Sequence, residues 1–254
     1  MKTWNQLFVR HGWLLEEKGA NKFDCKKETK ENLAFLKRCL NEAKVEYSLE
    51  SSELIIFDEP IDESDWIKVL DEPFRGRNGD YWCRPGIDEP EIQQFDTYIA
   101  GVIRQLNRLQ FFTTMCCDGH GRRTPYICFD KKGNMELIVN LFYILGIPRV
   151  TYREHRTHFQ MPIRVKRPEL LDLAENLSLI QLDWLEKGVN YIEEQLFYNE
   201  IETLLSIPGV SGEESTIREV VKARLTPFID YITEDHYGNL LAEKTYGKGR
   251  GPTI

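Results

Sequence analysis

Apolar residues recur along this chain in short stripes of two periods. Trp4, Leu7, Phe8 and Leu15 stand at near-helical spacing and predict a short amphipathic helix within Met1–Leu15. Thr29–Lys44 is a clearer case, with Leu33, Leu36 and Leu40 as its apolar stripe and Lys and Glu on the other face. Leu54–Phe57 reads as a strand packed on that helix. Asp58–Pro90 then breaks the pattern. Asp-Glu-Pro occurs at Asp58, Asp71 and Asp88, and the unequal spacings of 13 and 17 residues argue against a structural repeat. A long loop is expected, held to the body by Trp66, Tyr81 and Trp82.

Periodicity returns at Pro90. A helix is expected from about Glu91 to Leu109, with Phe95, Ile99, Val102, Ile103 and Leu106 apolar and Asp88 or Glu89 as its cap. Phe111–Cys117 reads as a strand and Pro125–Phe129 as its partner, joined by Asp118-Gly119-His120-Gly121-Arg122-Arg123. Asn134 caps a second helix that ends at Gly146. Strands Arg149–Arg153 and His158–Val165 come next, and Pro168 opens a helix to about Lys187. The order helix, two strands, helix, two strands, helix predicts an α+β layer with an antiparallel sheet. Gly188 separates it from a further helix, Tyr191–Ile207. The expected parts are 1–57, helices and a strand; 58–89, the acidic loop; 90–187, the α+β domain; and 188–254, a linker helix with the beginning of a second domain.

The order over 90–187 resembles one half of the LAGLIDADG homing-endonuclease fold, with Tyr98–Ile103 in the first helix. That family's helix ends in an acidic metal-binding residue. Arg104-Gln105-Leu106 stands there instead, so the likeness is topological and carries no expectation of nuclease activity.

Composition narrows the class. In 254 residues, 41% hydrophobic residues suffice for a packed core. A formal net charge of −8 argues against generic nucleic-acid or anionic-membrane binding. No apolar run approaches the roughly 18 to 20 residues that span a bilayer, and Met1–Gly12 lacks the apolar region of a signal peptide. The six cysteines are too few and too irregularly spaced for a disulfide scaffold, so a reduced, cytoplasmic setting is expected.

The most specific stretch is Leu204–Ile254. Pro208 and Gly209 end the preceding helix, and Ser211 with Glu214 has capping-box spacing. Ile217, Val220, Val221 and Leu225 continue at helical spacing up to Pro227. Ile229–Thr233 and Leu240–Lys244 read as strands around a turn at Asp235–Asn239, where Gly238-Asn239 tolerates positive φ. Ile207, Pro208, Gly209, Ser211, Gly212, Glu213, Ile217 and Arg218, then Asp235, Gly238, Asn239 and Leu240, with Gly247–Gly251 as a turn, resemble the start of the co-catalytic zinc exopeptidases. The likeness is to the deblocking or glutamyl aminopeptidases and related di- and tripeptidases. It implies the truncated beginning of an α/β zinc-peptidase domain, and a full-length product that is a metallo-aminopeptidase acting on peptides with zinc or another divalent metal. The family's His-x-Asp ligand pair and its general-base glutamate come after the strand that Pro252-Thr253-Ile254 would begin. No catalytic residue is therefore expected within this chain, and the 254 residues alone are expected to be inactive.

Outside that stretch, the chemistry concentrates at Cys116–Arg123. Cys117 and His120, with Cys128 on the partner strand, could meet on a metal, with Cys83 or a histidine of His155-x-x-His158 as further ligands. Cys116 and Cys117 alternate in a strand, so at most one joins such a site. Three other readings stay open. Cys117 could be a nucleophile with His120 as its base, although no third group is identifiable to orient the imidazole. Arg122 and Arg123 could bind an anionic ligand. The hairpin could simply bury small cysteines and solvate its arginines. Arg149, Arg153, Arg156, Arg164, Lys166 and Arg167 make 149–167 locally basic, which suits a charged sheet edge or a surface for nucleic acid or an acidic peptide.

Overall fold

The chain opens with a complete capping box. Thr3 accepts a hydrogen bond from the Gln6 N–H while the Gln6 side chain accepts from the Thr3 N–H. Helix α1 (Trp4–His11) starts there and ends at Gly12, which is left-handed at φ 107°, so the helix stops short of the expected Leu15. Two strands come next, β1 (Glu16–Gly19) and β2 (Lys22–Asp24), whose short polar segments gave no periodic signal. Thr29 caps α2 (Lys30–Glu42), whose buried stripe is Phe35, Leu36, Cys39 and Leu40 rather than one that includes Leu33. Strands β3 (Tyr47–Glu50) and β4 (Glu53–Ile56) lead to α3 (Glu63–Leu70), capped by Asp62. A helix thus stands where a loop was expected. Trp66 on it is fully buried, whereas Trp82 is exposed.

The same order then recurs. It comprises α4 (Ala100–Arg108), β5 (Thr113–Cys117), β6 (Tyr126–Asp130), α5 (Met135–Ile144), β7 (Arg153–Glu154), β8 (His158–Pro162) and α6 (Glu169–Ser178), with α7 (Leu182–Lys187) after it. The two sheets are four-stranded and antiparallel, with orders β1-β2-β4-β3 and β5-β6-β8-β7. The architecture is mixed α+β, and each helix-strand-strand-helix-strand-strand-helix set forms its own sheet.

Two expected helices are broken. The span Glu91–Leu109 is a 3-10 turn at Ile92–Gln94, an extended Phe95 (φ −98°, ψ 150°) and only then α4. Glu89 pairs with Arg104 instead of capping. The span Pro168–Lys187 divides into α6 and α7 around Leu179–Gln181. The strand at Arg149–Arg153 shrinks to Arg153–Glu154 on the sheet edge, and Asn134 caps α5 as expected by accepting from the Leu137 N–H.

The structure is a computed structural model that describes residues 2–72, 75–76, 82–207 and 214–245, and its chain divides into two units, Met1–Glu193 and Glu194–Ile254. In the first unit α1 packs on α4 and α6. A Cβ on Gly101 would lie 2.2 Å from the Arg10 carbonyl oxygen and 2.8 Å from Ala174 Cβ, so only glycine permits this helix crossing. An aromatic cluster of Trp4, Phe8, Trp13 and Trp66 fills the first half. Ile127, Phe129 and Met161 fill the inner face of the second sheet. Two buried arginines tie the halves together. Arg10 donates to Glu63, Asp172 and Glu175, and Arg104 donates to Glu28 and to the Gly12 carbonyl. Arg104 stands in the region where the endonuclease likeness would require a carboxylate, and a buried ion pair occupies that place.

The second unit takes in most of α8 (Val189–Leu205), then α9 (Ser215–Leu225), a 3-10 turn at Thr226–Phe228, and the hairpin β9 (Tyr231–Glu234) and β10 (Leu240–Glu243). None of its described residues is buried, and Phe197, Leu205, Phe228, Tyr231 and Tyr237 are exposed. Among the described residues no helix is long and apolar enough to cross a membrane.

Candidate metal centre

The site forms where the end of β5 meets the start of α4. Cys117 closes the pairing of β5 with β6 opposite Tyr126. The chain then turns through His120–Arg122, with left-handed backbone at Gly119 (φ 87°) and Gly121 (φ 66°). This brings His120 back over the strand end, its Nδ1 3.8 Å from Cys117 Sγ. The sulfur also accepts the Gly119 N–H at 3.4 Å.

Asp118 is fully buried and uses its two oxygens differently. Oδ1 accepts the His120 backbone N–H at 3.0 Å and lies 3.3 Å from its Nδ1. Oδ2 accepts from Arg167 Nε at 2.8 Å and from the Tyr98 N–H at 3.3 Å. The Arg167 guanidinium also stacks 4.3 Å above the Tyr98 ring. Asp96 comes from just before α4. Its carbonyl accepts from the Ile99 and Ala100 N–H groups, and its Oδ2 accepts the Asp118 N–H at 3.1 Å. That same Oδ2 is 3.2 Å from His120 Nδ1. One ligand atom from each of Asp96, Cys117, Asp118 and His120 lies within 4.8 Å of all the others.

Burial, and then the Asp118 charge, push the Asp96 carboxyl up, against the opposing pull of the Asp118 N–H and the imidazole. Burial also pushes the Cys117 thiol up. A nucleophilic Cys117 is therefore poorly supported, since an activated thiol needs the opposite shift. The geometry agrees. A triad uses both imidazole nitrogens, whereas the sulfur and both carboxylates here face the same Nδ1. A cavity of about 260 Å³ opens beside the group, lined in part by Gly76, Cys116, Arg123 and Tyr126. Gly76 presses on Asp96 so closely that a Cβ would fall 2.0 Å from Oδ1.

Cys117 and His120 thus lie together at the hairpin turn, and only one of the adjacent cysteines enters the group. Cys128 does not belong to it. It sits on β6 opposite Met115, with two carboxylates supplying the remaining donors. Cys83 lies buried on an isolated bridge to Thr113, its thiol pushed up to about 11 by burial. His155 and His158 stack on each other at 4.8 Å and take no part. Arg122 and Arg123 are both exposed, and Arg123 reaches the cavity. Arg167, one of the basic residues of 149–167, is drawn into the site by Asp118. No disulfide joins any of the six cysteines, all of them among the described residues. Asp235, Gly238 and Asn239 belong to the second unit. Tyr81, Pro208, Gly209, Ser211, Gly212, Glu213 and Gly247–Ile254 lie outside the described residues.

Asp96 and Asp118 were not among the residues that the sequence singled out as ligands. Asp118 was available as the residue between Cys117 and His120. Asp96 was hidden by the expectation of an unbroken helix from Glu91. No family model, curated protein or solved structure matches this chain.

Proposed function

We propose that Glu194–Ile254 is the opening of an aminopeptidase-like metallohydrolase domain, attached to an α+β ligand-binding module formed by Met1–Glu193. One observation supports this reading above the others: residues quoted for the exopeptidase likeness depend on one another in space. Asp235 Oδ1 accepts the N–H groups of Tyr237 and Asn239, both at 2.9 Å, and Oδ2 accepts from the Asn239 side chain at 2.9 Å. That arrangement pins the hairpin turn. Gly238, at φ 84°, lies under the Arg218 guanidinium, where a Cβ would come within 2.7 Å of it. Arg218 in turn pairs with Glu234 at the end of β9. The motif residues thus lock helix α9 onto the hairpin, which is what a shared pattern of Arg, Asp, Gly and Asn at fixed spacing would serve.

The residues of this chain do not fit the co-catalytic metal pair of that family. Among the described residues, no group in the second unit brings three ligating side chains together. No catalytic step is assigned to this chain, and it should show no chelator-sensitive hydrolysis of amino-acid anilides with zinc, cobalt or manganese. The positive test is a graft in which Leu204–Ile254 replaces the corresponding opening of a glutamyl aminopeptidase. The reading expects a soluble chimera with chelator-sensitive activity. An insoluble or inert chimera, beside an active graft from a second aminopeptidase, would sink it.

For the first unit, Arg123 on the cavity lining supports an anionic ligand, and the net charge of −8 argues against a nucleic acid. A cytoplasmic setting suits six cysteines with no disulfide among them.

A further inference from the structure

We propose that Asp96, Cys117, Asp118 and His120 bind one divalent transition-metal ion of the zinc class. This site lies in the first unit and is independent of the hydrolase reading of the second. The first argument is geometric. Zinc bonds of about 2.0–2.1 Å to nitrogen or oxygen and about 2.3 Å to sulfur place tetrahedral donors about 3.3–3.6 Å apart. His120 Nδ1 lies 3.2 Å from Asp96 Oδ2, 3.3 Å from Asp118 Oδ1 and 3.8 Å from Cys117 Sγ. These three of the six donor–donor distances match tetrahedral edges to within a few tenths of an ångström, and all six are within 4.8 Å.

Donor chemistry selects the ion. Calcium and magnesium take oxygen ligands almost exclusively, whereas one thiolate, one imidazole and two carboxylates suit zinc and its first-row neighbours. Charge points the same way. On binding an ion Cys117 would give up its proton, so that two carboxylates and a thiolate carry three negative charges, and Arg167 on Asp118 supplies one positive charge. A dication supplies the other two.

The donors are also held in place. Arg167 and the Tyr98 N–H occupy Asp118 Oδ2 and leave Oδ1 to the group. The Asp118 N–H fixes Asp96, and the Gly119 N–H fixes the sulfur. Such outer contacts orient ligands in established metal sites. The cavity beside Asp96, Cys117 and His120 provides the entry path. An ion here would clamp the β5–β6 turn to the start of α4.

The test is zinc titration of the chelator-stripped 254-residue chain against a chromogenic competitor. The expected result is one equivalent bound, weakened at least about 100-fold in Cys117→Ser and in His120→Ala. Cys128→Ser should weaken binding far less than Cys117→Ser does, since Cys128 supplies no ligand atom to the group. His120 is half exposed, so its variant should keep the circular-dichroism spectrum of the stripped parent. No zinc binding by the parent would overturn the proposal. So would binding that survives both Cys117→Ser and His120→Ala, or that Cys128→Ser weakens as much as Cys117→Ser does.

Discussion

The two halves of the first unit share an element order and a strand order, yet their first hairpins differ. In the first half, β1 and β2 pair up to Gly19 opposite Lys22, leaving only Ala20 and Asn21 in the turn. In the second, β5 and β6 pair up to Cys117 opposite Tyr126, and Asp118–Pro125 intervenes. Cys117, Asp118 and His120 belong to that longer turn or its edge, and the first half has no equivalent. The difference shows how a scaffold carries chemistry. Strand pairing and helix packing fix where the hairpin ends, and the turn is free to lengthen and gather polar side chains against the next element. The first half fills its interior with Trp4, Trp13 and Trp66 instead.

The harshest way to break the comparison is to empty that aromatic core. Trp66→Ala should cost about 3–5 kcal/mol, read as a large fall in melting temperature, because the cavity cannot collapse between Trp4, Phe8 and Trp13. A fall of only a degree or two would mean that the first half is not a packed unit.

Acid is the next probe. Burial works against ionisation of Glu63, but nearby His11 and Arg10 outweigh it and hold the carboxyl at about 2, below its ordinary 4.5. A depressed carboxyl stabilises the fold above its unfolded value, and that contribution disappears as pH falls from about 4.5 to about 2. Glu63→Gln should therefore lose about 2–3 kcal/mol at neutral pH and flatten the stability profile over that window. An unchanged acid profile would remove Glu63 from the account. His11 stays neutral near pH 7, since its full burial pushes its pKa down.

Making the hairpins alike sharpens the comparison. Replacing Asp118–Pro125 with an Ala-Asn turn should cost about 1–3 kcal/mol, because Arg167 and the Tyr98 N–H lose their buried acceptor. It should also abolish zinc binding while both sheets remain. Retained zinc binding would move the site elsewhere. The smallest effect is expected from Arg122→Ala with Arg123→Ala. Both side chains are exposed, so stability should change by less than about 0.5 kcal/mol while affinity for an acidic ligand falls.

These same contrasts explain how far the fold could be read from residue pattern. The second half was readable because its strands are apolar runs bounded by turn residues and Asn134 and Gly146 punctuate α5. The first was not, since neither Glu16–Gly19 nor Tyr47–Glu50 buries a residue and both carry little apolar signal. The internal duplication was missed for that reason. At the site, Cys117 and His120 stood out as residue types on a hairpin turn, although their spacing matches no standard zinc signature. Cys128 was a false partner because pairing across strands places it opposite Met115 and not beside the turn. Asp96 depended on a helix break at Phe95 that hydrophobic periodicity cannot show, because the apolar stripe runs on through it.

The metal centre is the central claim, and its ligand count gives the most direct test. X-ray absorption at the zinc edge, on the chain loaded with one equivalent, should show one sulfur and three nitrogen or oxygen neighbours at about 2.3 Å and about 2.0–2.1 Å. A shell with no sulfur, or with two or more, would contradict the assignment of Asp96, Cys117, Asp118 and His120.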